Sequence, residues 1–387
     1  MNDEAMKNMK ENKRRDAHPY YIWESIMGTP EILAQCLEKD VQQSINTIAD
    51  KIIEKKINKI FLIGTGSSYF ATYAEKYVFT ALTGIPTFNN ITTEFYNYPP
   101  ITLDDHSAVF FHSHSGGTQG DPETVAMAKE KGAYTVGVTD IPTSQLAQCV
   151  DEPLIGPGGG KVELPATRTY SAAIFRMMLL AVAIAKRTKV SDAVTAFEKE
   201  LSRVPALLRE TADTYAEAVK PIVENVKDCG NFFVIGSGPN YATADEGALG
   251  MSQSAGVPAQ AFAVENFLHG PIQILRKGMG VIAIAPRGKS EQRIIQTAKG
   301  CKIIGAKVVL VTSRDKSEFK DFDGVIQIPD EVDEMVSPLY CMTPLWQLAY
   351  HFSLLGRGSH TDRLAMDLPE FKEAFAVIMA DDKKFAL

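Results

Sequence analysis

What this chain has little of narrows its possibilities first. Cysteine is sparse: five in 387 residues, Cys36, Cys149, Cys229, Cys301 and Cys341, each alone and with no C-x-x-C among them. Scattered single thiols argue against a disulfide framework or a zinc knuckle and read as reduced thiols of a cytoplasmic protein. Positive charge is in deficit: 40 Lys and Arg against 47 Asp and Glu leave a net charge of −7, and no basic run exceeds "NKRR". Such a surface repels nucleic acid and anionic membranes, so neither is expected as a partner. An anion held here would need main-chain amides rather than a basic surface. No run of 18 apolar residues exists; the longest, "MMLLAVAIA" (177–185), has the length of a core helix. Residues 1–16 contain no apolar segment of the kind a secretory signal carries. No G-x-x-x-x-G-K-[ST] loop is present, which removes the usual nucleotide phosphate grip.

What is present is a repeat. "FLIGTGSSYFATYAEK" (61–76) matches "FVIGSGPNYATADEGA" (233–248): Gly64, Gly66 and Tyr69 meet Gly236, Gly238 and Tyr241 at an offset of 172. Without a gap, Gly84-Ile85-Pro86 then meets Gly256-Val257-Pro258 at the same offset. The length suits two domains, and the repeat divides the chain into two copies, 45–205 and 206–350. An N-terminal arm and opening helix (1–44) precede them, and a tail (351–387) follows. Short apolar, β-branched runs ("SAVFFH", "YTVGVTD", "VIAIAP", "KVVLVTS") alternate with helical stretches. That pattern predicts strands buried on both faces of a parallel sheet. Each copy is therefore expected to be α/β, a doubly wound, mostly parallel sheet between two helical layers, with ligands off the carboxyl ends of the strands. "GTGSS" and "GSGPNY" both lack the third glycine of a dinucleotide fingerprint, and no acidic residue closes a second strand downstream, so no cofactor is expected.

"FFHSHSGGTQG" (110–120) holds the densest polar chemistry. The strand should end near His112, and a helix should begin after Asp121-Pro122 and stop at Gly132. Ser113 to Gly120 is then a strand-to-helix turn. Its glycines allow close approach, its free amides face outward, and Ser113, Ser115 and Thr118 add hydroxyls. This is a way to grip a phosphate without arginine. The corresponding stretch of the second copy, "RGKSEQ", is charged and unlike it, so one phosphate site per chain is expected, in the first copy. His112 and His114 alternate, but nothing nearby supplies a third ligand, so no metal is expected. Asp140 ends a strand, where it could face a ligand or cap a helix.

The "SHSGGT" turn resembles the S-x-S-G-E/T-T phosphosugar signature of the SIS (sugar isomerase) domain family. The likeness extends to "YYIWESIMGTPEILAQ", "GTGSSYFA", "PATRTYS", "EGALGMSQSAG", "VENFLHGP" and "LAYHFSLLGRGSHTDR". It is nearest to the isomerase half of glucosamine-6-phosphate synthase and the related sugar-phosphate deglycases and deaminases. The resemblance implies tandem SIS domains and a phosphorylated sugar ligand. Ser113, Ser115 and Thr118 would hold the phosphate, with His114 and Gly116 contributing main chain. Gly66, Ser67 and Ser68 would form the first sugar-binding turn, and Thr167 would lie near the ligand. His269 stands where the family's ring-opening histidine stands. In that family this histidine serves a neighbouring subunit's site, which implies a homodimer or higher homo-oligomer with shared active sites, and a tail lying over the site.

The departures are as informative. Sixteen residues before His269, where the family carries its proton-moving glutamate, stands Gln253. An amide has no useful pKa and cannot relay a proton between two carbons. Glu246, two helical turns earlier, and Glu265, four residues before His269, are the candidate substitutes. Glu163 is a shifted candidate for the glutamate ahead of "PATRTY". The tail has no lysine in register, Arg363 and Lys372 being displaced by several places. The first cysteine is Cys36, so no glutaminase nucleophile leads the chain. These changes weaken aldose–ketose isomerisation and favour a deglycase or deaminase that releases the amine of a 6-phosphorylated amino sugar or fructosamine. The alternatives are a phosphosugar isomerase with a replacement acid and a catalytically silent phosphosugar-binding protein.

Overall fold

The computed structural model describes residues 15, 17–159, 165–188, 191–356 and 369–378. They group into two compact units, and the chain passes from the first to the second within helix Asp192–Val226.

The first unit is built on β1 (Lys59–Gly64), β2 (Thr87–Ile91), β3 (Ser107–His112), β4 (Tyr134–Thr139) and β5 (Glu152–Ile155). All pair in parallel, in the order β2-β1-β3-β4-β5. Every residue of β3 and β4 is buried, because helices cover both faces of the sheet. Strand alternation sorts the side chains. Phe61, Ile63, Val109 and Phe111 join Val125, Ala128 and Leu146 in one core, while Phe110 packs on the other face against Phe79 of helix Ser67–Thr83. Burying each such side chain contributes roughly 1.5–3 kcal/mol. Helix Arg168–Thr188 is long and apolar enough to cross a membrane, yet 89% of its apolar window is buried inside the structure, against helices Ser67–Thr83 and Lys39–Glu54.

The second unit repeats the plan with β6 (Phe232–Gly236), β7 (Ala259–Ala263), β8 (Gly280–Ala285), β9 (Lys307–Thr312) and β10 (Gly324–Gln327). Its order, β7-β6-β8-β9-β10, is that of the first sheet, again all parallel. The opening helix Tyr21–Met27 packs in this unit against helix Ser337–Ser353. Trp23 lies 4.8 Å from the Tyr350 ring, and His18 Nδ1 lies 2.6 Å from the Tyr350 hydroxyl.

The repeat legible in the sequence is a repeat of backbone geometry. Gly66 and Gly238 take φ +59° and +55° at the start of helices Ser67–Thr83 and Asn240–Ala255; Gly84 and Gly256 take φ +71° and +64° at their ends. These left-handed caps, each followed two residues later by proline, stop the helix and launch the next strand. A further pair at the same offset escaped the sequence comparison. Asp151 accepts from the Thr135 amide at 2.9 Å and meets Lys129, and Asp323 accepts from the Val308 amide at 2.8 Å and meets Lys302. The two units are doubly wound α/β sandwiches in tandem, as expected.

Candidate functional site

In a sheet of order 2-1-3-4-5 the connections leave the first and third strands in opposite directions, which opens a crevice beyond their carboxyl ends. In the first unit the register aligns those ends, Gly64 beside His112. The crevice is lined by Ser67, Ser68, Ser113, His114, Asp140 and Arg176 among others. The turn after β1 is tight: a Cβ on Gly64 would come within 2.8 Å of the Ser68 main chain. Ser67 and Ser68 therefore open the following helix directly over the strand end.

The turn after β3 is folded on itself. The Ser113 amide donates to the Val138 carbonyl at 3.1 Å, and the Ser113 hydroxyl lies 2.8 Å from that of Thr118. The Ser115 hydroxyl accepts from the Gly117 amide at 3.3 Å. Gly116, at φ +59°, is pressed so close to Ser144 that an added Cβ would lie 2.1 Å from its hydroxyl oxygen. Only glycine fits there on both counts. Gly120, at φ +83°, then starts helix Asp121–Glu130. Burial pushes the Asp121 carboxyl up to about 7, against the opposing effect of a hydrogen bond with Ser113.

Beside this turn lies a buried network that sequence reasoning had only touched. His114 Nδ1 is 2.9 Å from Asp140 Oδ2, and Asp140 Oδ1 accepts from an Arg176 guanidinium nitrogen at 2.7 Å and from the Gly158 amide at 3.2 Å. Asp140 and Arg176 are both buried. Burial alone would raise the Asp140 carboxyl, but Arg176 and His114 beside it hold it well below the usual carboxylate range. Asp140 is not a helix cap; Ser144 caps the next helix by accepting from the Ala147 amide. His112, buried at the end of β3, lies 2.9 Å from the equally buried Glu75. Among the described residues, no three His, Cys, Asp or Glu side chains gather as a metal site. Thr167 is fully buried just ahead of helix Arg168–Thr188, its carbonyl accepting from the Ser171 amide at 3.3 Å. Glu163 lies outside the described residues, as do 357–368 of the tail.

In the second unit the four candidate catalytic residues stand in different settings. Glu246 and Gln253 ride helix Asn240–Ala255, Glu246 buried and Gln253 partly so. His269 follows the short helix Val264–Leu268 and its side chain is 82% exposed. Glu265, 4.0 Å from the His269 ring, is held bidentately by Arg293 at 2.6 and 3.1 Å. That hydrogen-bonded pair lowers the Glu265 pKa, so its carboxylate is a poor proton donor.

The turn after β8 is the structural counterpart of the phosphate-type turn. It already holds a carboxylate: the Lys289 amide donates to both oxygens of Glu334 at 3.2 Å, and a Cβ on Gly288 would strike that carboxyl carbon at 2.3 Å. Arg287, Gly288 and Lys289 are exposed.

Two doubly wound sheets of identical strand order, with a hydroxyl-rich turn at the switch point of one, define a tandem sandwich of a known class. The SIS domain profile matches residues 51–183 and 226–345, and the chain belongs to the SIS domain family. Among curated proteins, it is 28% identical over 356 residues to the isomerizing glutamine–fructose-6-phosphate aminotransferase of Thermococcus kodakarensis. That match takes in 91% of this chain but 58% of the relative. The chain thus spans under three-fifths of the length of the curated relatives it matches first. Among solved structures, the C-terminal domain of glucosamine-fructose-6-phosphate aminotransferase from Francisella tularensis aligns with a TM-score of 0.79 at 21% identity, covering 89% of this chain and 98% of that one. Glucosamine-6-phosphate deaminase from Thermotoga maritima aligns with a TM-score of 0.71 at 21% identity, covering 89% and 97%. At such identities the structural likeness speaks for the fold alone.

Proposed function

We propose that this protein is a cytoplasmic phosphosugar enzyme that binds a 6-phosphorylated amino sugar or fructosamine and releases its amine, acting as a homodimer or higher homo-oligomer. The observation that carries the reading is the first-unit crevice. It is lined by Ser67, Ser68 and Ser113 at aligned strand ends, with the Thr118 hydroxyl 2.8 Å behind that of Ser113, beside a turn that only Gly116 can form. Dianion recognition of this kind draws on amides and hydroxyls together. The relatives named for fructose-6-phosphate aminotransferase and glucosamine-6-phosphate deaminase support the substrate class.

Amine release and isomerisation both begin with a proton moving between C1 and C2 of the sugar, so either needs a base from the second unit. Gln253, an amide, stands where the SIS resemblance expects that base and has no useful pKa for the transfer. In a fructosamine 6-phosphate a proton passes from C1 to C2 and leaves an imine at C1, and in a 2-amino sugar phosphate the reverse transfer leaves it at C2; water then adds at the imine carbon, the C–N bond breaks, and the nitrogen leaves with a proton. An imidazole can carry these protons, and His269 is assigned that role. Its exposure favours a site completed by a second copy of the chain. Glu246 is the remaining buried carboxylate on the Gln253 helix and is assigned to orient the amine.

The test is to offer fructosamine 6-phosphates and amino-sugar 6-phosphates in deuterated water and follow free amine and the sugar protons together. Amine release is expected. Exchange of the C1 or C2 proton without amine loss would select an isomerase. A ligand-induced rise in melting temperature without turnover would select a binding protein.

A further inference from the structure

We infer that the His114 ring is a proton-linked anion ligand of the first-unit crevice: it takes up a proton as a dianion seats in the Ser113–Thr118 turn, making anion affinity pH-dependent. The inference rests on the phosphosugar reading for where the anion sits. It goes beyond that reading in assigning the side chain, rather than only the main chain, of the second residue of the turn.

The geometry carries it in three steps. First, the His114 side chain lines the same crevice as Ser67, Ser68 and Ser113 and is one-third exposed. Second, its Nδ1 is tied at 2.9 Å to a carboxylate that cannot itself take the proton. Asp140 already accepts from Arg176 and the Gly158 amide in a fully buried setting. The hydrogen on that contact therefore belongs to Nδ1, and Nε2 is the nitrogen that gains or loses a proton. Third, the described lining of the crevice holds little mobile positive charge. Of its described lining residues, Arg176 is the only guanidinium or ammonium, and it is committed to Asp140. The Asp140–Arg176 pair is neutral as a unit, so a dianion arriving at hydroxyls and amides favours an imidazolium formed by proton uptake from solvent.

Other ionisable groups face this ring or its partners. His112 is paired with Glu75, and Cys36, near Arg176, is pushed up to about 12 by burial and stays a thiol. Asp121, hydrogen-bonded to Ser113, has its carboxyl raised to about 7 by burial. Ionisation of Asp121 would also weaken anion binding as pH rises, so the experiment must separate the two.

Calorimetric titration of the full chain with sodium sulfate does so, because sulfate remains a dianion throughout the pH 6–8 range and only protein groups titrate. For the unaltered protein, affinity is expected to fall about tenfold from pH 6 to pH 8, the size of a shift of about one pKa unit on binding. Proton uptake should be readable from buffers of different ionisation enthalpy. Asp121→Asn should keep the slope; His114→Gln should bind more weakly at pH 6 and lose it. A slope that survives in His114→Gln, or a pH-independent affinity in the unaltered protein, overturns the inference while leaving the anion site standing. No sulfate binding at any pH overturns the phosphosugar reading and the inference with it. Should His114→Gln fail to fold, the imidazole C2 proton resonance of His114 in the unaltered protein decides. Its pKa is expected to rise by about one unit on adding sulfate, and an unmoved titration curve is the contrary result.

Discussion

The turns after β3 and β8 occupy the same place in two copies of one fold, and they are filled by different side chains. Gly116 and Gly288 sit at the repeat offset of 172. Around Gly116 the chain presents hydroxyls and a histidine anchored on a buried aspartate. Around Gly288 the Lys289 amide is occupied by Glu334, a carboxylate of the same unit. The scaffold devices are shared between the units: left-handed glycines at both ends of the first crossover helix, and an aspartate bracing the last strand. Under the proposed function, the difference teaches that the fold supplies an anion-shaped turn twice, and that a few side chains decide whether it is left for a ligand or filled by the protein. On the proposed reading the units divide the labour, the first gripping phosphate and the second supplying the acid–base group.

That division can be broken most forcefully at His269. His269→Ala should lower kcat for amine release by about 10²–10⁴, the range of a general acid–base group, while sulfate affinity stays unchanged. Full turnover in this variant would end the assignment. Next comes the grip. Ser113→Ala with Thr118→Ala removes two hydroxyls from a charged group and should lower kcat/KM by about 10²–10³. Ser290→Ala in the second turn should leave steady-state kinetics unaltered; equal effects at the two turns would abolish the contrast.

A third comparison concerns ion pairs. Asp140→Ala strands a buried guanidinium and should cost about 3–5 kcal/mol in denaturant unfolding. Glu265→Ala in the second unit breaks an exposed pair with Arg293 and should leave the unfolding midpoint in place.

Fourth, the units should respond to pH with opposite signs. Burial lowers His351, in helix Ser337–Ser353, to about 4, below its unfolded value. The unfolded chain then binds the extra proton, so this stability is present above about pH 6.5 and lost as pH falls through about 4. Asp121 is raised to about 7, so its contribution is full below about pH 4 and lost as pH rises through about 7. Melting curves across pH should show His351→Gln flattening the acid limb and Asp121→Asn the neutral limb, each by about 1–3 kcal/mol once partial solvent screening is counted. The smallest effect is expected from Glu334→Ala. It frees the second turn and should add a weak second sulfate site; a second site as tight as the first would mean that the side chains around Ser113 contribute little.

Much of the fold was legible because its signals are local. The glycines at 66, 84, 238 and 256 needed positive φ and recurred at one spacing, and the apolar runs were short enough for buried strands. The turn at Ser113–Gly120 was legible for the same reason: glycine, hydroxyl and helix-start residues lie within a few positions. The Asp140–Arg176 bond joins residues 36 positions apart, and the bond from Lys289 to Glu334 joins residues 45 apart. No periodicity announces such contacts. The one available sign was Arg176 itself, a charge inside "AAIFRMMLLAVA", which a buried helix carries only with a partner. Sequence position offered both Glu246 and Glu265 as substitutes for an acid at Gln253. The Arg293 pairing of Glu265 and the burial of Glu246 give those residues separate surroundings.

The most direct test is a crystal structure with a linear hexitol 6-phosphate, an analogue that cannot turn over. The account predicts one phosphate per chain, bound by the Ser113 and Thr118 hydroxyls with Ser67 or Ser68 alongside, and the Glu334 carboxylate still seated on the Lys289 amide. Phosphate at the second turn, or an unaltered and empty first crevice at saturating ligand, would contradict it.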